Sequence, residues 1–340
     1  MTNSSSTEQA AITTGGRRIA VRVSGPDDGS PVLFCHVAPG SRRFDPDPKA
    51  TAAAEVRLIT MDRPGYGGSD RLGADDSPSI PLYAEDCAAV LEQLGVRAAA
   101  VAGWSAGGRV AMALAARRPD LVRSVALIGT PAPDEEVAWI GATEKSMIAA
   151  LAADPDSALV NLEQMLAPMT ADPAATIGMV GSGPADAAAL ADPGLRADLE
   201  EMLTEAFVQG SAGLAADLLS YTLAPWGFDP RSVGAPVRCW YGAADAVVSP
   251  AHGQWWVDQV ADGRLTVVPE AGHLLVRPVW ADVLRWSPPT HDRERRRWSA
   301  AASRPLTIIG RGAGPWLGER QAPDGASLGQ AAAGKMEACD

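Results

Sequence analysis

A short apolar run, residues 98–102, ends at Gly103-Trp104-Ser105-Ala106-Gly107, and a stretch rich in Ala, Leu and Met continues to Ala116. The pattern reads as strand, sharp turn and helix, with a serine at the apex. Such a turn lifts the Ser105 hydroxyl above the carboxyl edge of a parallel sheet, at the N-terminus of the next helix. Glycine two residues to either side answers a steric need, because strand and helix backbones nearly touch there and a Cβ would collide. The five-residue pattern is loose on its own, with roughly 0.2 chance matches expected in a chain of this make-up. Gly325-Ala-Ser327-Leu-Gly329 matches it too. That copy follows Gln-Ala-Pro-Asp, with no strand before it, and reads as coincidence.

The flanking sequence repeats the theme of strand and helix. Arg18–Ser24 alternates with period two, as a half-buried strand near a sheet edge does, and Gly25–Pro31 is a turn. Val32–Cys35, Val56–Met61 and Ser124–Gly129 are short continuous apolar runs, and residues 82–95 carry helical spacing that stops at Gly95. Continuous apolar strands between helices predict an α/β fold whose parallel sheet is covered on both faces. After Pro131 the rhythm changes to helical segments (144–152, 157–167, 196–208 and 212–223) broken by prolines. This block, 132–232, is expected to be a helical cap or lid inserted into a core made of 17–131 and 233–287. Its Met147, Met165, Met169, Met179 and Met202 are expected chiefly to pack the lid on the core, the alternative being an apolar pocket. Strands at Val237–Gly242 and Arg264–Val268, with a helix near 250–261 between them, close the core. Residues 1–16 are polar and expected to be a flexible N-terminus. Residues 288–340, rich in Arg, Gly, Ala and Pro, are expected to be a disordered C-terminal extension without catalytic role.

A formal charge of −12 over 340 residues weighs against nucleic acid or an anionic membrane as partner and leaves a small molecule. No apolar run reaches the roughly 18 residues of a membrane span, and the first ten residues do not form a secretory signal. Cys35, Cys87, Cys239 and Cys339 have neither metal-ligand nor disulfide-framework spacing, so no cysteine metal site is expected and a reduced cytoplasm fits. Oligomeric state is not legible in the sequence.

A serine hydroxyl becomes a useful nucleophile only when a base takes its proton and a third group holds that base. Of the four histidines, His36 ends a strand, His252 lies in a predicted helix and His291 in the extension. His273, in Pro269-Glu-Ala-Gly-His-Leu-Leu, stands on the loop after the last predicted strand, at the edge where a parallel sheet presents chemistry. Asp245 follows the strand before it. Asp229 and Asp258 are worse placed, before a strand and within a helix. The order Ser105, Asp245, His273 is the one a nucleophile elbow on a parallel sheet uses.

With these residues in place, the chain resembles the α/β-hydrolase superfamily over roughly residues 17–287. Asp62-Arg-Pro-Gly-Tyr-Gly-Gly-Ser-Asp70 is similar to the loop after the family's fourth strand, His36-Val-Ala-Pro-Gly-Ser41 to its oxyanion loop, and Gly242-x-x-Asp245 with Gly272-His273 to its acid and base loops. The resemblance implies an eight-stranded, mostly parallel sheet with a helical cap, and hydrolysis without a cofactor. It also implies an oxyanion hole from the backbone N–H groups of Ala38 and Ala106. Val37 departs from it, since the family usually has glycine there, and a β-branched residue is costly where φ is positive. The resemblance therefore implies either a shifted loop or a weaker oxyanion hole. Arg42 and Arg43 are expected to be solvated or paired with Asp45 and Asp47, the alternative being contact with an acidic substrate group.

The expected activity is a serine hydrolase attacking a carboxylic ester, lactone or thioester of a small, largely apolar substrate. A C–C bond hydrolase, a perhydrolase or an aminopeptidase remains open on the same fold. The last rests on Glu200, Glu201 and Glu205 as a cradle for an ammonium group, against the plainer reading of a solvated helix face. A non-catalytic binding protein that keeps the pocket is the remaining class.

Overall fold

The structure is a computed structural model that describes residues 7–14, 16–73 and 76–287. The second Gly-x-Ser-x-Gly match, His291, Cys339 and the expected extension 288–340 lie outside the described residues. Eight strands form one sheet: β1 (Thr7–Thr14), β2 (Arg17–Ser24), β3 (Ser30–Cys35), β4 (Val56–Met61), β5 (Ala99–Trp104), β6 (Val122–Ile128), β7 (Val237–Gly242) and β8 (Gly263–Val268). Their order is β1-β2-β4-β3-β5-β6-β7-β8, and β2 alone runs against its neighbours.

One expectation is corrected at the edge. Residues 7–14, expected to belong to a flexible N-terminus, pair antiparallel with β2 as β1. Ladder pairing is a main-chain interaction and needs no apolar pattern. The β-branched Ile12, Thr13 and Thr14 suit an extended backbone, a propensity the polar composition hid.

Period-two alternation divides the side chains of each strand between two cores. Leu33, Val101, Val125, Leu127 and Tyr241 face one side. There α2 (Ile80–Gln93), α3 (Ala106–Arg117) and α10 (Pro250–Gln259) cover them with Val90, Leu114 and Trp256. Phe34, Leu58, Ala102, Trp104 and Ile128 face the other. There α11 (Val276–Trp286) packs Trp280 and Val283 on them, and α1 (Pro48–Ala53) lies beside α11. β5 is buried along its whole length, whereas β8 is half exposed as an edge strand.

Between β6 and β7 the chain makes only helices: α4 (Ala142–Ala152), α5 (Pro155–Leu166), α6 (Ile177–Val180), α7 (Pro184–Ala189), α8 (Pro193–Ala206) and α9 (Ala212–Thr222). Four of these coincide closely with the segments expected from helical spacing. The short α6 and α7 were not legible, because runs of four and six residues cannot show a 3.6-residue period. α8 buries Leu199, Met202 and Leu203 in the second core, so this insertion shares a core with the sheet.

Because β3 lies between β4 and β5, the connections leaving β3 and β5 diverge to opposite sides. The gap above their carboxyl ends is the topological switch point, where open α/β sheets hold their ligands.

Candidate active site

Ser105 occupies the turn from β5 into α3 with φ 53° and ψ −122°, a conformation that non-glycine residues rarely adopt. Its amide donates to Ile128 O at 2.8 Å, which fixes the turn to β6. The glycines on either side are required: a Cβ on Gly103 would lie 2.4 Å from Gly108 Cα, and one on Gly107 would lie 2.1 Å from Cys35 O. No side chain caps α3, and the first amides of a helix have no partner within it. The Ala106 N–H is therefore available at the positive end of the helix dipole.

Asp245 follows β7 and His273 follows β8, both buried. His273 Nδ1 donates to Asp245 Oδ2 at 2.7 Å, and the other carboxylate oxygen accepts from the amides of Val247 and Val248 at 2.8 Å each. Burial alone would raise the Asp245 carboxyl. The attraction of His273, its hydrogen bond and the two amides outweigh it and hold the group below its ordinary value. An ionised carboxylate accepts only, so Nδ1 carries the proton and the lone pair of the neutral ring is on Nε2. The ring packs over Gly129, at 3.2 Å from the position of a Cβ there. Gly129 and Ser105 follow the paired positions Ile128 and Trp104, so the imidazole lies over the strand end next to the Ser105 turn. Trp104 Nε1 also donates to His273 O at 3.1 Å. The three sequence-derived residues are thus brought to one place.

The loop after β3 is held by a network that the sequence did not disclose. His36 Nδ1 donates to Val37 O at 2.6 Å and Nε2 accepts from Arg63 N at 3.4 Å, as a neutral ring does. Burial, reinforced by the Arg63 charge, holds His36 well below its ordinary pKa. Arg63 donates to His36 O at 2.7 Å and to Val37 O at 3.0 Å. Its guanidinium is gripped by Asp217 of α9, with Nε to Oδ1 at 2.9 Å and Nη2 to Oδ2 at 2.5 Å, and Tyr66 Oη donates to the same carboxylate at 2.9 Å. Burial opposes the charge on Arg63, and Asp217 more than offsets it, raising the pKa. Among the described residues only Glu55, Ser105 and Glu270 of non-glycine type have positive φ, so the backbone at Val37 does not call for glycine. The Val37 side chain is buried in the second core.

The expectation for Arg42 and Arg43 is corrected. Arg42 is buried and paired with Asp62 and with Glu205 of α8, and Arg43 lies 3.8 Å from Glu205. Asp47 caps α1 through the amides of Lys49 and Ala50, and Asp45 accepts from Thr51 Oγ1 at 2.7 Å. Burial is the reason: Arg42 lies under the insertion, where a cation needs a carboxylate partner. Glu205 is thereby engaged and Glu200 faces Arg196, so two of the three glutamates are already paired with arginines. Of the five methionines, Met202 is fully buried and Met147 lines an apolar cavity, whereas Met165 and Met179 are largely exposed. Asp186 of α7 is a further residue the sequence did not disclose. It accepts from Leu274 N at 2.8 Å and so ties the insertion to the histidine loop.

Comparison with known proteins agrees with this architecture. The sequence profile of the alpha/beta hydrolase fold family matches residues 30–276. A pimeloyl-[acyl-carrier protein] methyl ester esterase of Chromobacterium violaceum is 30% identical over 222 residues, 63% of this chain and 75% of that protein. The Neisseria meningitidis serogroup B protein of the same name is 26% identical over 265 residues, 76% of this chain and 91% of its own. Among solved structures, an alpha/beta hydrolase fold protein from Nakamurella multipartita superposes with a TM-score of 0.58 at 26% identity, covering 82% of this chain and 99% of its own.

Proposed function

The chain belongs to the alpha/beta hydrolase fold family, and we propose that this ester hydrolase works through Ser105, His273 and Asp245 on a small, free ester. Ser105 Oγ attacks the ester carbonyl while His273 Nε2 takes its proton. Asp245 holds the ring in the Nδ1–H tautomer and stabilises the imidazolium that forms. The backbone N–H groups of Ala38 and Ala106 receive the oxyanion. Collapse of the tetrahedral intermediate expels the alcohol with the proton returned by His273, and water activated by the same base releases the acid. The insertion 132–232 acts as the lid that shapes the acyl pocket.

One observation carries the reading: a buried Asp245–His273 hydrogen bond whose histidine is also held by Trp104, the residue before a serine in a strained turn at a helix N-terminus. The names of the relatives support ester chemistry. Residues 132–232 hold 16 carboxylates against three basic side chains, Lys145, Arg196 and Arg231, so an acidic protein carrier would be repelled at the lid and a free molecule is the better substrate. Among the described residues no helix is long and apolar enough to cross a membrane. The buried free thiols of Cys35, Cys87 and Cys239 fit a reducing cytoplasmic setting, which we include in the proposal. Hydrolysis of p-nitrophenyl acyl esters by the wild type, reduced by about 10³-fold or more in Ser105→Ala, is the expected result. Turnover retained in Ser105→Ala would overturn the assignment.

A further inference from the structure

Arg109 stands one helical turn after Ser105 on α3, and it is buried without a carboxylate. Only 2% of it is exposed. Its Nε and Nη2 donate to Pro131 O at 3.1 Å and Ala132 O at 3.2 Å, which leaves Nη1 without a hydrogen-bond partner among the described residues. Three rings surround the guanidinium, with centroids 4.8 Å (Trp226), 5.0 Å (Tyr221) and 5.5 Å (Trp139) from Cζ. The Trp139 indole N–H is also buried and has no acceptor among the described residues. Burial depresses the Arg109 pKa to about 10, so the cation persists at neutral pH at an energetic cost. The other buried arginines of the site region behave differently, since Arg42 and Arg63 each hold a carboxylate.

Arg109 and Trp139 line a cavity of about 400 Å³. A second cavity of about 430 Å³ shares Trp139, Ile140, Tyr221 and Thr222 with it and is otherwise mostly apolar, with Met147, Leu151 and Leu218 in its wall. Val247 also lines this second cavity, and its amide is one of the two that hold Asp245. Catalytic loop, apolar cavity and Arg109 cavity therefore follow one another.

Resting on the ester-hydrolase reading above, we propose that the Arg109 cavity receives a carboxylate at the far end of the substrate's apolar acyl chain. The preferred substrates are then half-esters of dicarboxylic acids. The carboxylate takes the Nη1–H of Arg109, which has no protein acceptor among the described residues, and the buried Trp139 indole N–H, in a site where a charge-assisted hydrogen bond is strong. Two acidic residues border the same cavity. Asp134 is already held by Lys145 at 2.7 Å and by the amides of Trp139 and Ile140, and the exposed Glu135 acts on the Arg109 charge from a distance without pairing with it.

The test compares mono-p-nitrophenyl adipate with p-nitrophenyl hexanoate, esters of equal chain length that differ in the terminal carboxylate. The wild type is expected to favour the adipate ester in kcat/KM by about 10- to 100-fold. Arg109→Met brings the ratio near one, and Arg109→Lys leaves it intermediate. Thr222→Asp, which adds a negative charge to the cavity wall while sparing Arg109, also lowers the ratio and guards against a folding defect in the Arg109 variants. Equal kcat/KM for the two esters in the wild type, or an equal loss on both in Arg109→Met, overturns the proposal. If neither ester is turned over, the ester-hydrolase reading fails, and titration of intrinsic tryptophan fluorescence with adipate decides the cavity by itself. Saturable quenching in the wild type that disappears in Arg109→Met upholds the anion site; no quenching in the wild type, or the same curve in both, removes it.

Discussion

In the proposed chemistry Ser105, Asp245 and His273 each answer a demand visible in the chain. The serine needs glycine on both sides, and the acid and base each stand directly after an apolar strand. Arg63 and Arg109 were not legible in this way. An arginine in a sequence reads as solvated by default, and only the fold shows that one faces Asp217 and the other three aromatic rings. Val37 failed in the opposite direction: the family's glycine suggested a backbone constraint that the structure does not impose at this position. At this scale Asp245→Asn is the informative change. It keeps the shape of the side chain but turns an obligate acceptor into a group that presents a donor to Nδ1, which favours the wrong imidazole tautomer. The account expects kcat to fall by about 10³–10⁴-fold with little change in folding, read from ester hydrolysis beside circular dichroism.

At the scale of elements, the strands, the long helices and the break after Pro131 followed from period and proline placement. The edge strand β1 and the short helices α6 and α7 did not, since main-chain pairing and single turns leave almost no side-chain pattern. The insertion is also more closely joined to the core than its sequence suggested. Asp217 of α9 reaches Arg63 under the His36 loop, Glu205 of α8 reaches Arg42, and Gln209 Nε2 donates to Gly67 O at 2.7 Å and Ser69 O at 2.6 Å. Removing the Asp217 carboxylate leaves Arg63 buried without its counter-charge. Asp217→Ala is expected to cost about 3–5 kcal/mol of stability, measured by urea unfolding, because breaking a buried pair strands the remaining charge. Its residual folded fraction is also expected to lose kcat more than KM, since Arg63 no longer holds the carbonyls of His36 and Val37.

Over the whole molecule, charge and protonation are unevenly placed. The insertion carries most of the acidic excess, 16 of 41 carboxylates but three of 29 basic side chains. Two histidines, His36 and His252, are buried and neutral. Burial, with Arg109 nearby, lowers His252 to about 4, and its Nδ1 accepts from Ala132 N at 3.0 Å. Because the folded-state value lies below the ordinary 6.5, the unfolded chain binds a proton that the folded chain refuses once the pH falls below 6.5. Stability from this group is complete above pH 6.5 and declines down to about pH 4. In His252→Asn the amide oxygen replaces the acceptor and nothing titrates. Urea unfolding at pH 7 and pH 4.5 should then show the variant losing less stability than the wild type, by roughly 1–2 kcal/mol. An identical loss in both would assign acid sensitivity elsewhere. The central claim, that the fold activates Ser105 above the switch point of the sheet, is tested most directly by intact-mass analysis after exposure to a fluorophosphonate. The account predicts one adduct on the wild type and none on Ser105→Ala; an unlabelled, folded wild type, or an adduct that survives the substitution, would contradict it.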